Sequence, residues 1–209
     1  MAVAVFGISG RTGEALIEAA QARALELVGL ARRPLVLPFA AHVRVHVGDL
    51  SDPEAVHQVV TGTQAVICVF GPRPPHREVF CAEATENIIA AMRAGGTARL
   101  LCQTGAMVGA LPHNVSLPMR WMAHRFARSR PLVAADRAAQ ERLVRASRLD
   151  WTLVKPPRLR TGAARRPVRA GSALPVGLLA SIRRSALAGF LLDELAAERF
   201  VGQAVYVRD

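Results

Sequence analysis

The sequence predicts an α/β fold, a doubly wound and mostly parallel sheet within a single domain over residues 1–209. Two observations predict it. Short apolar runs of strand length alternate with stretches whose apolar residues recur at helical spacing, which favours parallel strands joined by right-handed crossovers. The length of 209 residues suits one domain, and 51% of the residues are hydrophobic, which is ample for a core.

The chain begins with a strand, a glycine turn and a helix. The valine-rich run Ala2–Phe6 predicts a buried strand, and residues 14–24 predict a helix. In this context the intervening glycines predict a Rossmann-type dinucleotide-binding turn. Gly7 permits the sharp turn, Gly10 lets the backbone approach a pyrophosphate, and Gly13 lets the helix pack close to the strand.

Other groups of this turn add donors for phosphate. They are the free N–H groups at the positive end of the helix and the side chains of Ser9, Arg11 and Thr12. The spacing G-x-x-G-x-x-G differs from the G-x-G-x-x-G of the commonest dehydrogenases. The alternative interpretation is an ordinary tight turn between a strand and a helix.

The second predicted strand, residues 25–31, ends in two arginines. An NAD-preferring site usually places an acid here to accept hydrogen bonds from the adenosine ribose. Arg32 and Arg33 instead offer guanidinium groups, which match a phosphate bidentately. They predict recognition of the 2′-phosphate of NADP(H), and a solvated turn is the alternative.

The third strand is predicted over Val43–Val47, where apolar and polar residues alternate. Asp49 and Leu50 follow it and are assigned to the cofactor site, with Asp49 at the adenine edge. Asp52 is then predicted to cap a helix over 53–60, with proline at its first position.

The fourth predicted strand, residues 64–70, is nearly all apolar and therefore central. Ligands of a doubly wound sheet bind beyond the carboxyl ends of its strands, so the proline-rich loop 71–75 is predicted to border the nicotinamide. Phe70, Gly71 and Arg73 are assigned to the cofactor site. Arg73 could reach a cofactor phosphate or an anionic substrate, or it could be solvated.

A helix over 78–95 and a fifth strand over Arg99–Gln103 come next. Thr104 closes this strand at the ligand edge, and its hydroxyl is a candidate to orient the acceptor or the nicotinamide. Residues 111–131 are predicted to be irregular and interrupted by prolines, with amphipathic pieces around residues 119–126. They form most of a substrate flap placed around 107–131.

The rest of the chain continues the alternation. Its predicted elements are a helix over 136–147, a strand over 151–154, a polar excursion over 158–171, a helix within 177–198 and a strand over 204–207. Pro156 is assigned to the cofactor site. Met107 and Trp121 are expected in an apolar substrate lining, and Arg158 on its basic rim.

Composition limits the other partners. The net charge of +11 lies in residues 101–209, which hold eighteen basic and seven acidic residues. This basic half has few aromatic residues and no nucleic-acid motif, so nucleic acid is not favoured as a partner. No run approaches the roughly 18 apolar residues of a membrane span. With no room for a signal peptide after Met1, we expect a cytoplasmic protein without a membrane partner.

The cysteines do not predict a metal site. Cys68, Cys81 and Cys102 contain no CxxC pair, and each stands in an apolar stretch. Buried thiols are therefore expected, and no metal is assigned.

Several stretches together resemble one family. They are the glycine turn over 7–13, Ala31-Arg32-Arg33, Gly48-Asp49-Leu50, and residues 64–67, 86–92 and 141–156. Nearly the whole chain resembles the atypical short-chain dehydrogenase/reductase group, most closely the NmrA-like NAD(P)-binding proteins and the flavin-reductase-like proteins related to biliverdin reductase B. The resemblance implies a Rossmann-type domain that binds NADP(H).

The resemblance does not settle the chemistry. Many members use a Tyr-x-x-x-Lys pair, in which the lysine lowers the tyrosine pKa for proton transfer. Here the single tyrosine is Tyr206, the single lysine is Lys155, and that pair is absent. Flavin-reductase-like members also have a serine after the threonine matched by Thr104 and a histidine where Arg158 stands. Arg137 replaces a lysine of many relatives.

Two functions therefore remain. The first, which we favour, is an NADPH-dependent reductase that moves hydride to a flat conjugated small molecule such as a flavin, a quinone or a tetrapyrrole. The second is a non-catalytic redox sensor of NmrA-like type that binds NADP(H). In either case we expect a monomer or a weak homodimer.

Overall fold

The computed structural model describes residues 2–35, 42–73, 75, 78–109, 111, 114–164 and 166–209. The strands in these ranges are β1 (Ala2–Phe6), β2 (Glu26–Ala31), β3 (Val43–Val47), β4 (Ala65–Cys68), β5 (Arg99–Gln103), β6 (Asp150–Lys155), β7 (Arg158–Arg160), β8 (Arg169–Gly171), β9 (Ser181–Arg183) and β10 (Gln203–Arg208). The helices are α1 (Arg11–Gln21), α2 (Pro53–Val60), α3 (Cys81–Gly95), α4 (Leu117–Ser129), α5 (Pro131–Ala146) and α6 (Arg184–Ala197).

Eight strands form one sheet in the order β3-β2-β1-β4-β5-β6-β10-β8, and β7 pairs with β9 in a second, two-stranded sheet. Neighbours in the large sheet are parallel except β8, which runs antiparallel to β10 at the edge. The chain runs outward from β1 to β3 and returns to β4 on the other side of β1. This reversal leaves a crevice at the carboxyl ends of β1 and β4, and it confirms the predicted doubly wound sheet.

Helices cover both faces of the large sheet. α1 packs on α6 over one face, and α2, α3 and α5 pack in a row over the other. In β1, Val3 and Val5 join the core beneath α1 and α6, whereas Ala4 and Phe6 join the core beneath α2 and α3. Because side chains alternate between the faces of a strand, a strand covered on both sides is apolar throughout, which explains the uncharged run Ala2–Phe6.

The ends of the helices follow local chemistry. Asp52 caps α2 as predicted, because its Oδ1 accepts a hydrogen bond of 3.0 Å from the Glu54 N–H. α3 ends at a glycine pair, with Gly96 left-handed at φ +71°. α1 begins at Arg11, three residues before the predicted start at residue 14, and therefore includes Gly13 in its first turn.

The prediction that residues 111–131 are mostly irregular is wrong, although the amphipathic pieces expected around residues 119–126 lie within a helix. Leu117–Ser129 form the helix α4, and Pro131 begins α5 ahead of the predicted residue 136. Pro118 and Pro131 both stand in the first turn of a helix, where the missing N–H is not needed, so these prolines start helices instead of breaking them. Residues 110, 112 and 113 of the predicted flap lie outside the described residues.

The polar excursion over 158–171 contains two short strands. β7 pairs with β9, and β8 extends the large sheet. The last helix, Arg184–Ala197, lies within its predicted range. Arg165 is outside the described residues. No helix of the described ranges is long and apolar enough to cross a membrane.

Candidate functional site

The carboxyl ends of β1, β4, β5 and β6 bring predicted site residues from distant parts of the chain to one edge. The Val69 N–H donates to the Phe6 carbonyl at 2.9 Å, which holds the start of the loop after β4 beside the glycine turn. The Thr104 N–H donates to the Val154 carbonyl, and the Ala106 N–H to the Pro156 carbonyl, both at 2.9 Å. The loops after β5 and β6 therefore run side by side.

Two glycines of the turn are required by close approaches of the backbone. Gly7 has φ +96°, and a Cβ there would lie 2.8 Å from the Phe70 nitrogen. A Cβ on Gly13 would lie 2.5 Å from the Gly7 carbonyl oxygen and would overlap the Ile8 carbonyl. Gly7 thus lets β1 turn beneath Phe70, and Gly13 lets α1 pack against the turn, as their positions predict.

Gly10 serves a different purpose. It precedes α1 with an ordinary φ of −93°, and no side chain of the described residues caps the helix there. A Cβ on Gly10 would meet only the Gly7 carbonyl oxygen, at 3.2 Å. The first turn of α1 therefore presents its N–H groups and its positive end to open space, which suits a phosphate. Ser9 and Arg11 are exposed beside it, and Thr12 is buried.

The edge beyond β2 and β3, where the sequence predicts the adenosine, has charged groups of both signs. Arg32 and Arg33 are exposed just beyond β2. The pKa of Asp49 lies below its usual value, first because the Ser51 N–H and hydroxyl donate to its Oδ1 at 3.0 and 2.8 Å, and further because Arg32 is near, although burial opposes the shift. The Asp49 side chain is thus a carboxylate whose position is held by the two hydrogen bonds from Ser51. The Leu50 carbonyl accepts from Asn87 Nδ2 at 2.9 Å.

A buried arginine that sequence reasoning did not assign to the site lies beneath the loop after β4. Arg137 Nη1 donates to the Phe70 carbonyl at 3.3 Å and to Gln140 Oε1 at 2.8 Å. A Cβ on Gly71 would lie 3.5 Å from the same nitrogen. Arg137 therefore supports Phe70 and Gly71 from below, whereas Arg73 is exposed. Pro74 of the predicted loop lies outside the described residues.

Asp136, beside Arg137, fixes the start of α3. Its carboxylate accepts hydrogen bonds from the N–H groups of Phe80, Cys81 and Ala82 at 3.2, 2.9 and 2.9 Å. The two charged side chains of α5 thus hold both the loop after β4 and the helix that follows it. No spacing rule connects residue 136 to residue 80, so sequence patterns could not reveal this contact.

The hydroxyl of Thr104 already has a partner. It donates to Glu141 Oε1 at 2.7 Å. Lys155 Nζ donates to the same oxygen at 2.5 Å and to the Val108 carbonyl at 2.6 Å. All three side chains are buried, and burial lowers the pKa of Lys155 although Glu141 opposes the shift. Glu141 and Lys155 were not among the predicted site residues.

The predicted substrate residues are distributed unevenly. Met107 packs with Ala106, Met119 and Tyr206 in a small apolar cluster above the ends of β5 and β10. Trp121 differs from its expected place in the lining, because α4 turns Met119 and Ala123 inward and leaves Trp121 63% exposed. The Arg125 guanidinium lies 5.2 Å from the centre of its ring. Arg158 is exposed at the start of β7.

The three cysteines are free and buried, which confirms the expectation for Cys68, Cys81 and Cys102. Within the described ranges, no three His, Cys, Asp or Glu side chains lie close enough together to hold a metal ion.

Tyr206 lies closer to these loops than its position in the sequence suggests. Its ring centre is 5.9 Å from Lys155 Nζ, and its hydroxyl is buried without a hydrogen-bond partner among the described residues. Burial, with a smaller contribution from the Glu141 carboxylate, raises the pKa of Tyr206 to about 12.

We expect Tyr206 to stay neutral in the folded protein at pH values where free tyrosine, with a pKa of 10.0, ionises. Because the folded state holds this proton more tightly, its contribution to stability is complete below pH 10 and is lost as the pH approaches 12. Tyrosinate absorbance measures this cleanly, since Tyr206 is the single tyrosine.

Tyr206→Phe should remove that alkaline loss of stability. It should leave the stability at neutral pH and any turnover unchanged, since the deleted hydroxyl has no partner within the described chain. A folded protein whose tyrosine ionised near pH 10 would contradict the burial of the hydroxyl.

A family model described as NAD(P)H-binding matches residues 7–198. The structure is similar to that of the oxidoreductase ylbE from Lactococcus lactis, with a TM-score of 0.82 and 14% identity over 100% of this chain and 91% of the other. It is also similar to ChuY, an anaerobillin reductase from Escherichia coli O157:H7, with a TM-score of 0.79 and 18% identity over 100% and 97%. A Rossmann-fold NAD(P)-binding protein from Shigella flexneri gives 0.74 and 19% over 100% and 93%.

Proposed function

Because the chain belongs to the NAD(P)H-binding family through residues 7–198, we propose that it is an NADPH-dependent reductase that transfers hydride to a flat conjugated small molecule. One observation carries the proposal most directly. The uncapped start of α1 and the Thr104 edge of β5 border the same crevice, so a dinucleotide held at α1 can extend toward Thr104.

The residues present fit this cofactor. A Cβ on Gly10 would fill the space in front of the first turn of α1, which is the space that a diphosphate needs. When bound, the nicotinamide supplies the hydride, and the protein has to hold the two rings together and exclude water. Arg137 fixes Phe70 and Gly71, and the paired loops after β5 and β6 fix Thr104 and Pro156.

We expect NADPH to bind more tightly than NADH. Arg32 and Arg33 stand where an NAD-preferring site has an acid, and a charge-assisted contact to phosphate contributes about 1.5–3 kcal/mol, or roughly tenfold or more in affinity. Arg32→Ala and Arg33→Ala should raise the Kd of NADPH. The Kd of NADH is the internal control and should stay constant. Equal Kd values of the unmodified protein for the two cofactors would contradict the assignment.

For the acceptor, we propose a ring system with a negatively charged tail, such as flavin mononucleotide or a tetrapyrrole with propionates. Met107 and its cluster give an apolar surface above β5. Arg73 is an exposed cation in the loop after β4, and Arg158 is an exposed cation at the start of β7. The structural similarity to an anaerobillin reductase adds a linear tetrapyrrole to the acceptors worth testing.

The test is a panel of NADPH oxidation assays with flavins, quinones and biliverdin. Flavin mononucleotide should have a lower KM than neutral riboflavin. Arg73→Ala or Arg158→Ala should shrink that difference by raising KM more than they lower kcat. Riboflavin kinetics provide the matched control, since its tail carries no negative charge for either arginine to pair with.

One observation favours the second candidate, a non-catalytic redox sensor of NmrA-like type that binds NADP(H). The Thr104 hydroxyl is engaged by Glu141, and the chain lacks the Tyr-x-x-x-Lys pair. Tight NADPH binding without turnover of any acceptor in the panel would support the sensor and exclude the reductase.

A further inference from the structure

Thr104, Lys155 and Tyr206 lie in one row across the carboxyl ends of the adjacent strands β5, β6 and β10. Thr104 follows β5 and donates its N–H to the Val154 carbonyl of β6. Lys155 ends β6 and pairs with Tyr206 of β10. Glu141 of α5 lies over this row and accepts hydrogen bonds from both Thr104 and Lys155 on its Oε1. The row is inside the protein, and its Thr104 end borders the crevice.

The fold makes room for this group. Gly109 has φ +67°, and a Cβ there would overlap Glu141 Oε2. Lys155 Nζ also holds the turn after Thr104 through the Val108 carbonyl. Lys155 and Glu141 are 2% and 3% exposed, and the burial of two charged side chains costs free energy. An apolar pair would avoid this cost. The presence of the ion pair beside the crevice therefore indicates a role that apolar side chains could not have.

We propose that Thr104, Glu141 and Lys155 form a proton-delivery chain that ends at the acceptor. The inference rests on the proposed reductase function. Thr104 is the catalytic residue of the three, since neither Glu141 nor Lys155 would touch the acceptor. Glu141 and Lys155 are positioning residues that act through it. This chain performs the proton transfer for which the sequence has no Tyr-x-x-x-Lys pair.

The step balances as follows. The Thr104 hydroxyl first turns its hydrogen from Glu141 Oε1, to which it donates at 2.7 Å, toward the acceptor. The acceptor takes two electrons with the hydride that the proposed function provides, and its other reacting atom takes the hydrogen of this hydroxyl as a proton. Thr104 Oγ1 is reprotonated through Glu141 Oε1, which receives a proton from the Lys155 ammonium along the 2.5 Å hydrogen bond. Lys155 ends as a neutral amine, Glu141 remains a carboxylate, and water returns one proton to Lys155.

The surrounding charges suit this route. Arg145 Nη2 lies 4.0 Å from Glu141 Oε2, and the Arg145 side chain is 47% exposed, so the ion pair links the buried carboxylate to a guanidinium that solvent reaches. The positive charges of Arg145 and Arg137 act together with burial to lower the pKa of Lys155. Tyr206 faces Lys155 from β10 and stays neutral, because its own pKa is raised. The lowered pKa favours the transfer of a proton from the Lys155 ammonium.

Thr104→Val and Thr104→Ser form the matched pair of variants. Valine keeps the shape and removes the hydroxyl, whereas serine keeps the hydroxyl. We expect Thr104→Val to lower kcat by about 100-fold or more, with an unchanged Kd for NADPH, and Thr104→Ser to stay within a few-fold of the unmodified protein. In the unmodified protein, kcat should fall as the pH rises through the lowered pKa of Lys155. This limb should be absent in Thr104→Val.

A second readout needs neither cofactor nor turnover. Lys155 is the single lysine, so selective isotope labelling gives one side-chain NMR signal, and its titration can be followed in the cofactor-free protein. We expect a pKa below the ordinary 10.5. Thr104→Val should raise it, because Glu141 loses a donor and its carboxylate then stabilises the ammonium more strongly.

The outcomes separate the two proposals. Turnover that survives in Thr104→Val with its pH profile intact overturns the proton-delivery chain and leaves the reductase standing. A Lys155 signal that titrates normally and ignores the substitution overturns the chain regardless of activity. Absence of turnover with every acceptor removes the reductase, and the chain falls with it. Loss of kcat in Thr104→Val, with rescue by Thr104→Ser and a shifted Lys155 signal, supports both.

Discussion

Gly10→Val should abolish NADPH binding and leave the protein folded. The backbone at Gly10 has an ordinary φ, and a Cβ there would meet only the Gly7 carbonyl oxygen, at 3.2 Å. It would instead occupy the space in front of the uncapped N–H groups of α1. We expect the Kd to rise by at least about 100-fold, roughly 3 kcal/mol, because the diphosphate loses its binding surface. Fluorescence titration of NADPH and circular dichroism measure the two effects.

Gly13→Ala is the matched control within the same turn. Its Cβ would lie 2.5 Å from the Gly7 carbonyl oxygen, and rigid backbone cannot move aside as a flexible side chain can. This variant should therefore lose stability before any ligand is added, whereas Gly10→Val should keep its Tm. Normal NADPH binding by Gly10→Val would mean that the turn has only a structural role.

Glu194→Ala should destabilise the protein by about 3–5 kcal/mol, since it leaves a charge unpaired in the core. Glu194 is fully buried, and its Oε1 accepts from Arg99 Nη2 at 3.2 Å and from the Phe200 N–H at 2.8 Å. Arg99 is buried too, at the amino-terminal end of β5, away from the candidate site. Urea unfolding measures the loss directly, and NADPH affinity should be retained under native conditions.

Asp193, the preceding residue of α6, offers the control. It pairs with Arg23 at 2.8 Å, but both side chains are solvent-exposed. Such surface pairs contribute about 0–1 kcal/mol, so Asp193→Ala should change the unfolding free energy little. Equal unfolding free energies for Glu194→Ala and Asp193→Ala would contradict the expectation that the buried Arg99–Glu194 pair matters more for stability than the exposed pair.

The sequence predicts what local patterns determine. The run Ala2–Phe6 is apolar because both faces of β1 are covered, and Asp52 caps α2 because its side chain reaches the N–H of Glu54 two residues later. The full length of helix α4 was not predicted, because a proline that would break a helix interior is accommodated in the first turn. Met119 and Trp121 are two residues apart, which is about 200° around a helix, so only one of them can face inward. The sequence pattern alone does not decide which of the two it is.

The buried charges lay beyond prediction for another reason. Glu141 meets Lys155 and Thr104 only because α5 crosses above β5 and β6, so the contact depends on tertiary packing and not on spacing. A sequence reading could note that Lys155 is the single lysine and stands at a strand end. No spacing rule pairs this lysine with Glu141, fourteen residues earlier.

The carboxylate of Asp136, bound to the first N–H groups of α3, affects the orientation in which an anionic ligand can bind. Of the helices that follow β1, β3 and β4, α2 carries Asp52 and α3 carries Asp136 at the amino terminus, whereas α1 has no such cap. An incoming diphosphate is therefore attracted by one helix and repelled by two. A reversed pose, with the phosphates beneath β4, is disfavoured before any ring or base has been recognised. The carboxylates of Asp52 and Asp136 would thus favour the orientation in which the diphosphate lies at α1.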